Sequence, residues 1–360
     1  MKSLKAFFTR KNVIPSFRRY GVDALGAMAQ GLFCTLLVGT ILNTLGQQLH
    51  IDILTKPIAG NYTIGGLASA MVGPGIAAAI GQALGCPTLV LYSLIPVGFA
   101  ANAIAGAGGP LAVYLVTIIA AELGKLVSKE TRIDILVTPC ATILSGCLLA
   151  SMIAAPIGHA ASSLGLAIMW ATELQPFFMG MVISVIMGIA LTLPISSAAI
   201  CAAFGLSGLA GGAAVAGCCA QMVGFAVMSF QENRWGGLVA QGLGTSMLQM
   251  PNIVKNPKVW IPPTLASAIT GPVSTCLFQL QMNGTPVSAG MGTCGLVGPL
   301  GVYTGWIADI AAGAKASITA LDWIGLILIC FLLPAILSGL LCRILRRSGW
   351  IKEGDLKLDL

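Results

Sequence analysis

The feature that most constrains this chain is the length of its stretches without an ionisable side chain. No Asp, Glu, Lys or Arg occurs between Lys56 and Glu122, between Asp134 and Glu173, between Glu173 and Glu232, or between Lys258 and Asp309. The last clean stretch, between Asp322 and Arg343, has roughly the 20 residues that one crossing of a bilayer requires. Soluble domains carry about 25% charged residues; this chain carries 9%, with 56% apolar residues. A soluble fold could not hide that much apolar surface, whereas lipid is itself the apolar solvent. The reading is an all-α, polytopic integral membrane protein of about 10 transmembrane helices.

The formal net charge of +7 is not a nucleic-acid signal, because the basic residues gather at the two ends. Lys2, Lys5, Arg10, Lys11, Arg18 and Arg19 precede the first apolar segment, and Arg343, Arg346, Arg347 and Lys352 follow the last. Basic residues flanking spans stay in the cytoplasm. Both termini are therefore expected on the cytoplasmic side of the cell (inner) membrane, with an even number of crossings. Basic residues recur through Arg19 and no small-residue cleavage site follows, so the opening segment does not read as a cleavable signal. The cysteines lie mostly in apolar segments without a CxxC pair and read as small buried side chains rather than a disulfide framework.

The expected organisation is a basic cytoplasmic or interfacial segment over 1–22, a single transmembrane domain over 23–343 and a short cytoplasmic tail over 344–360. Spans are expected near 24–45, 64–85, 135–155, 177–193, 259–280 and 323–342. Residues 87–126 are apolar but interrupted by Pro96, Asn102 and Gly106-Ala107-Gly108-Gly109-Pro110, which predicts a hairpin or re-entrant element. Broken backbone at membrane depth is tolerated only where protein or a watery cavity surrounds it. A basic loop with Lys125, Lys129 and Arg132 follows, and a Gly-rich element covers about 286–308.

Three motifs recur in the same order. Leu67-Ala68-Ser69-Ala70 with Gly73-Pro74 returns as Leu265-Ala266-Ser267-Ala268 with Gly271-Pro272. Gly109-Pro110-Leu111 returns as Gly298-Pro299-Leu300, and Ile143-Leu144-Ser145-Gly146 as Ile336-Leu337-Ser338-Gly339. The reading is a duplication with halves at about 64–155 and 259–343 around a central region, 170–254. Flanking charges put the copies in opposite senses, and inverted repeats with broken helices place a solute site near the midplane. The segments around Pro110 and Pro299 would line the path.

Ionisable groups in a membrane interior are costly and so are functional candidates. Glu232 is the strongest, in Phe230-Gln231-Glu232-Asn233-Arg234-Trp235-Gly236-Gly237 after a long uncharged run. It is the candidate catalytic carboxylate, with Asn233 and Arg234 as polar contacts and Trp235 as a stacking surface for a sugar ring. Gln221, Gln241, Gln249 and Asn252 add amides, Thr245 and Ser196 hydroxyls; Glu173 and Asn102 complete the set of candidate solute ligands. Against this stand plainer readings: a polar loop with a local Glu232–Arg234 ion pair, an interfacial Glu173, a loop or interfacial His159, and amides that only join neighbouring helices. No GxxxxGK[ST] loop occurs, which argues against an ATP-driven pump. No cluster has metal-ligand spacing, and no metal or cofactor is expected.

Several segments together carry a resemblance: Arg132-Ile133-Asp134 with Thr138-Pro139, Ala171-Thr172-Glu173-Leu174-Gln175-Pro176, Thr192-Leu193-Pro194-Ile195-Ser196-Ser197, Glu232 to Gly237 through Pro251-Asn252-Ile253, and Trp260-Ile261-Pro262-Pro263-Thr264. Over nearly its whole length the chain resembles the phosphotransferase-system enzyme IIC-like membrane proteins of the PfoR type. The resemblance implies a sugar-translocating subunit, the sugar-binding partner in a protein-phosphocysteine–sugar phosphotransferase, served by separate cytosolic IIA and IIB proteins. Gly-rich faces would also allow a homodimer in the lipid. Two other readings stay open: a secondary transporter or facilitator without phosphoryl transfer, and a membrane-embedded sensor that regulates through a partner, a label the PfoR-type branch has carried.

Overall fold

The computed structural model describes residues 2–358, which fold almost entirely as helix, with no strand among them. Five helical stretches among the described residues are long and apolar enough to cross a membrane, or six if one bent pair counts as a span. The chain divides into two compact units, Met1–Ala160 and Ala161–Leu360.

In the first unit, helix α1 (Lys2–Arg10) is followed by a long helix, α2 (Arg19–Gln48). The stretch expected to cross at 64–85 is two helices, α3 (Ile64–Ala70) and α4 (Val72–Ala83), bent by 55° between them. Gly73 and Pro74 sit just beyond the bend, and the Gly73 backbone lies against Gly98 of α5 (Thr88–Ala105) with no space for a Cβ on either residue. Such small-residue crossings let helices approach where lipid supplies no hydrophobic drive for association. The interruption predicted after Asn102 is present. Gly106 adopts φ +53°, a short 3-10 turn follows, and α6 (Gly109–Val127) runs back along α5, so that Gly124 meets Val90. Gly supplies that left-handed turn without a Cβ penalty. The 88–127 stretch is thus a helical hairpin.

One sequence expectation changes here. Lys125 does not belong to an open basic loop; it lies in the last turn of α6 and is only 1% exposed. Its ammonium pairs with Glu122 at 2.8 Å and donates to the Asn12 carbonyl at 2.9 Å, because residues 11–12 fold over it. A buried ammonium requires such partners. The helix that follows, α7 (Asp134–Thr172), is 39 residues long and holds Pro139 and Pro156 without ending. His159 is therefore on an exposed helical position, not in a loop.

The second unit is built round α10 (Gly208–Met228), whose side chains are almost all buried. It packs against α8 (Pro176–Thr192), α13 (Ile261–Pro272, prolonged by a wide turn to Leu277) and α15 (Ala320–Arg347), with the short α9 (Ser197–Ala203) at one end. Gly217 of α10 rests on the Ser184 backbone and Gly180 of α8 on Gly271 of α13. Beyond α10 the chain breaks repeatedly: α11 (Phe230–Val239), a wide turn Ala240–Gly244, a 3-10 turn Ser246–Gln249 and α12 (Met250–Lys255). A second irregular stretch precedes α14 (Val297–Ala311), with Gly292, Gly295 and Leu296 all at positive φ and Gly292 against Cys218 and Cys219 in the middle of α10. The two copies of Gly-Pro-Leu, at Gly109 and Gly298, each lie at the start of a helix directly after such a break.

Candidate functional site

The residues singled out around Glu232 converge at one end of the α10–α13–α15 bundle, the end that carries Arg343, Arg346 and Arg347, and not at mid-height of α10, where a site near the midplane was expected. Ser229, just past α10, accepts a hydrogen bond from the Gln241 amide at 2.7 Å; Gln241 also donates to the Gly237 carbonyl at 2.9 Å. Gln249 donates to the Gln241 side-chain oxygen at 2.8 Å, and Asn252 to the Gln249 side-chain oxygen at 2.8 Å. Ser229, Gln241 and Gln249 are fully buried. The broken backbone of 240–249 produces this convergence, since a continuous helix would spread these side chains round its circumference.

Glu232 stands beside the relay with its side chain 7% exposed. Its Oε1 accepts from Arg346 Nη2 at 2.8 Å and from the Gly354 amide at 3.3 Å. Its Oε2 is buried without a hydrogen-bond partner. The ion pair is thus made with Arg346, not with Arg234. Arg234 adopts φ +52° and is exposed, and Trp235, 70% exposed, lies edge-on to Phe230. These two do not join the cluster.

The tail does join it. Asn233 donates to the Leu356 carbonyl at 2.8 Å and accepts from the Leu358 amide at 2.8 Å. Gln249 donates to the Leu356 carbonyl at 3.0 Å and Asn252 to the Lys357 carbonyl at 2.8 Å. Asn256 donates to the Trp350 carbonyl at 3.0 Å and to Asp355 at 2.8 Å. Leu356 and Ile351 are buried. Amides that the sequence offers to a solute are thus engaged by the backbone of the last residues. No pattern in the tail points to this pairing, because backbone carbonyls leave no sequence signal. Arg346 was legible only as a flanking charge.

The other candidates lie elsewhere. Gln221 is buried in mid-α10; its oxygen accepts from Trp260 Nε1 at 3.0 Å and its amide donates to Thr264 at 3.2 Å, so it joins α10 to the start of α13. Thr245 caps the Ser246–Gln249 turn, and Ser196 caps α9. Glu173 is exposed in the turn before α10's neighbour α8, and Asn102 is half-buried beside Gly109 in the first unit. Among thiols outside the spans, burial pushes Cys86 up to about 11, against the pull of Lys125, so it is a protonated thiol at neutral pH and a poor nucleophile.

Helices of membrane-crossing length, broken segments packed within the bundle and a buried carboxylate–amide cluster define a multi-pass membrane protein of the solute-transport class. The family described as "Phosphotransferase system, EIIC" matches residues 22–358, and the chain belongs to that family. It is therefore a membrane subunit of a phosphotransferase-system transporter. No curated protein and no solved structure matches it.

Proposed function

We propose that this subunit binds a sugar at the Glu232 cluster and moves it inward, where a separate IIB protein phosphorylates it and so traps the product. The observation that carries the reading is the Glu232 carboxylate, buried with one oxygen fixed by Arg346 and the other unpartnered. An unsatisfied buried oxygen costs about 1–3 kcal/mol, and a solute hydroxyl donating to Oε2 would remove that cost. Polarised by the carboxylate, the hydroxyl would become the acceptor for the phosphoryl group; the P–O bond forms to the sugar oxygen as the S–P bond of the phosphocysteine breaks, and the hydroxyl proton passes toward Glu232. The amides of Asn233 and Gln249 would hold neighbouring hydroxyls.

On this reading the tail is a stand-in. Residues 354–358 offer the cluster carbonyls and N–H groups where a sugar offers hydroxyls, and the two compete. The test is uptake by vesicles with and without the general phosphotransfer proteins. Accumulation of sugar phosphate only in their presence, lost in Glu232→Gln, is expected. Uptake driven by a gradient alone would replace the reading with a secondary transporter, and saturable binding without flux with a sensor.

A further inference from the structure

The opposite end of the same bundle holds a second polar site. The first residue of α10, Gly208, exchanges backbone hydrogen bonds with Met282, and its N–H also donates to the Asn283 side chain at 3.1 Å. The loop over 278–284 therefore closes the far end of α10. With 21 residues at 1.5 Å each, α10 separates this end from the Glu232 cluster by about 30 Å, the thickness of a hydrocarbon core.

The cavity here measures about 370 Å³, within the range of small-molecule sites. Its construction starts on α14. Gly301 and Gly305 lie against Ser288 and the Asn283–Gly284 backbone, where a Cβ has no room. Positions 301, 305 and 309 share one helix face, so Asp309 is brought onto the same loop. There the Asn283 amide nitrogen donates to both Asp309 oxygens, at 3.1 and 2.9 Å, and also to Gln281 at 3.2 Å. Across the cavity Lys315 pairs with Asp322 at 2.8 Å, and the other Asp322 oxygen accepts from the Thr319 backbone and hydroxyl. Trp306 forms part of the lining, with the Lys315 ammonium 5.8 Å from its ring centre.

The two carboxylates differ in what they still lack. Asp322 is served by an ammonium, an amide and a hydroxyl. Asp309 receives only one side-chain amide nitrogen, itself shared among three acceptors, while a carboxylate offers about four lone-pair sites. Among the described residues no ion pair reaches it. The cavity thus has surplus acceptors, exposed amides at Gln279 and Gln281, and two carboxylates against one ammonium. Donor-rich ligands fit, and anions are repelled.

We infer that this cavity is a capture site for a polyhydroxylated solute bearing no negative charge, a neutral or amino sugar or an alditol. Hydroxyls of such a ligand donate to Asp309, and the Lys315 ammonium and the glutamine amides hold others, next to the nearly buried Trp306. Placed at the end away from Arg346, the site receives solute on the face opposite to the one where the Glu232 cluster lies. It stands independently of phosphoryl transfer, because nothing in its chemistry uses Glu232.

The test uses the full-length detergent-solubilised protein, titrated with glucose, galactose, mannitol, N-acetylglucosamine, glucosamine and glucuronate, and read by tryptophan fluorescence and thermal shift. At least one uncharged or amino compound is expected to bind saturably and to change the fluorescence, with glucuronate at least tenfold weaker. Asp309→Asn should weaken that binding at least tenfold. Leu321→Trp, at a position 62% exposed on the rim, should fold normally and block it. Binding lost in Glu232→Gln but kept in Asp309→Asn and Leu321→Trp would overturn the assignment, as would preference for glucuronate or no binding by any of the six.

Discussion

At the residue scale, Glu232 and Arg346 hold the cluster's charge balance. Each is mostly buried and each is the other's charge partner, so removing one leaves the other uncompensated. Arg346→Ala is expected to lower stability by about 1–3 kcal/mol, read as a fall in melting temperature of the solubilised protein. The double change Glu232→Gln with Arg346→Gln should cost less than the two single changes added, because it removes both charges. A second charged contact predicts a pH effect. The Glu130 carboxylate is held below the usual carboxylate range, first by hydrogen bonding with Lys11 and then by Arg10. A depressed folded value means that the contact contributes above the unfolded value of about 4.3 and is lost as pH falls through the lower folded value. Hydrogen exchange in Lys2–Arg10 should therefore rise below about pH 4, and Glu130→Gln should show the same rise at neutral pH.

At the scale of elements, the tail and the broken segments matter most. The buried Leu356 anchors the tail, and burial of a leucine is worth about 1.5–3 kcal/mol. Leu356→Asp should release residues 354–358, lower the melting temperature and increase affinity for the transported sugar. Addition of that sugar to the unmodified protein should raise hydrogen exchange in the same residues; unchanged exchange would mean that tail and sugar do not compete. A different element-level test concerns α10, where Gly217 lies on the Ser184 backbone. Gly217→Val should prevent α8 and α10 from closing and abolish production of folded protein, read by size-exclusion in detergent.

These elements also show what the sequence made legible. The helical hairpin at 88–127 and the break before Pro299 were readable because Gly and Pro disrupt helices in a local, composition-driven way. Several spans were readable because hydrocarbon excludes charge, but α10 (Gly208–Met228) was not among those expected, because the Gly-rich, polar-studded stretch over 196–254 hid a helix buried by its neighbours. The amide relay from Ser229 to Asn252 was readable only as a concentration of polar residues. Its geometry depends on the wide and 3-10 turns over 240–249, which carry no distinctive pattern. Lys125 was placed in a loop because a charge at a helix end looks solvated; residues 11–12, far away in sequence, bury it. Arg234 was expected as a solute contact, or in the plainer reading as the ion-pair partner of Glu232, yet at φ +52° it stands exposed, away from the cluster. The Asp309 cavity was missed because its residues come from three separated segments, each with one or two polar side chains.

At the scale of the whole molecule, membership of the phosphotransferase EIIC family covers residues 22–358, and the central claim is that Glu232 presents a sugar hydroxyl to a phosphorylated partner. The most direct measurement is single-turnover phosphoryl transfer from a ³²P-labelled, phosphocysteine-bearing IIB protein to sugar in vesicles containing this subunit. Labelled sugar phosphate is expected on the IIB side with the unmodified protein and at least a hundredfold less with Glu232→Gln, at unchanged melting temperature or with Arg346→Gln added to restore it. Equal transfer by the Glu232→Gln protein, or sugar that crosses without gaining the label, would contradict it.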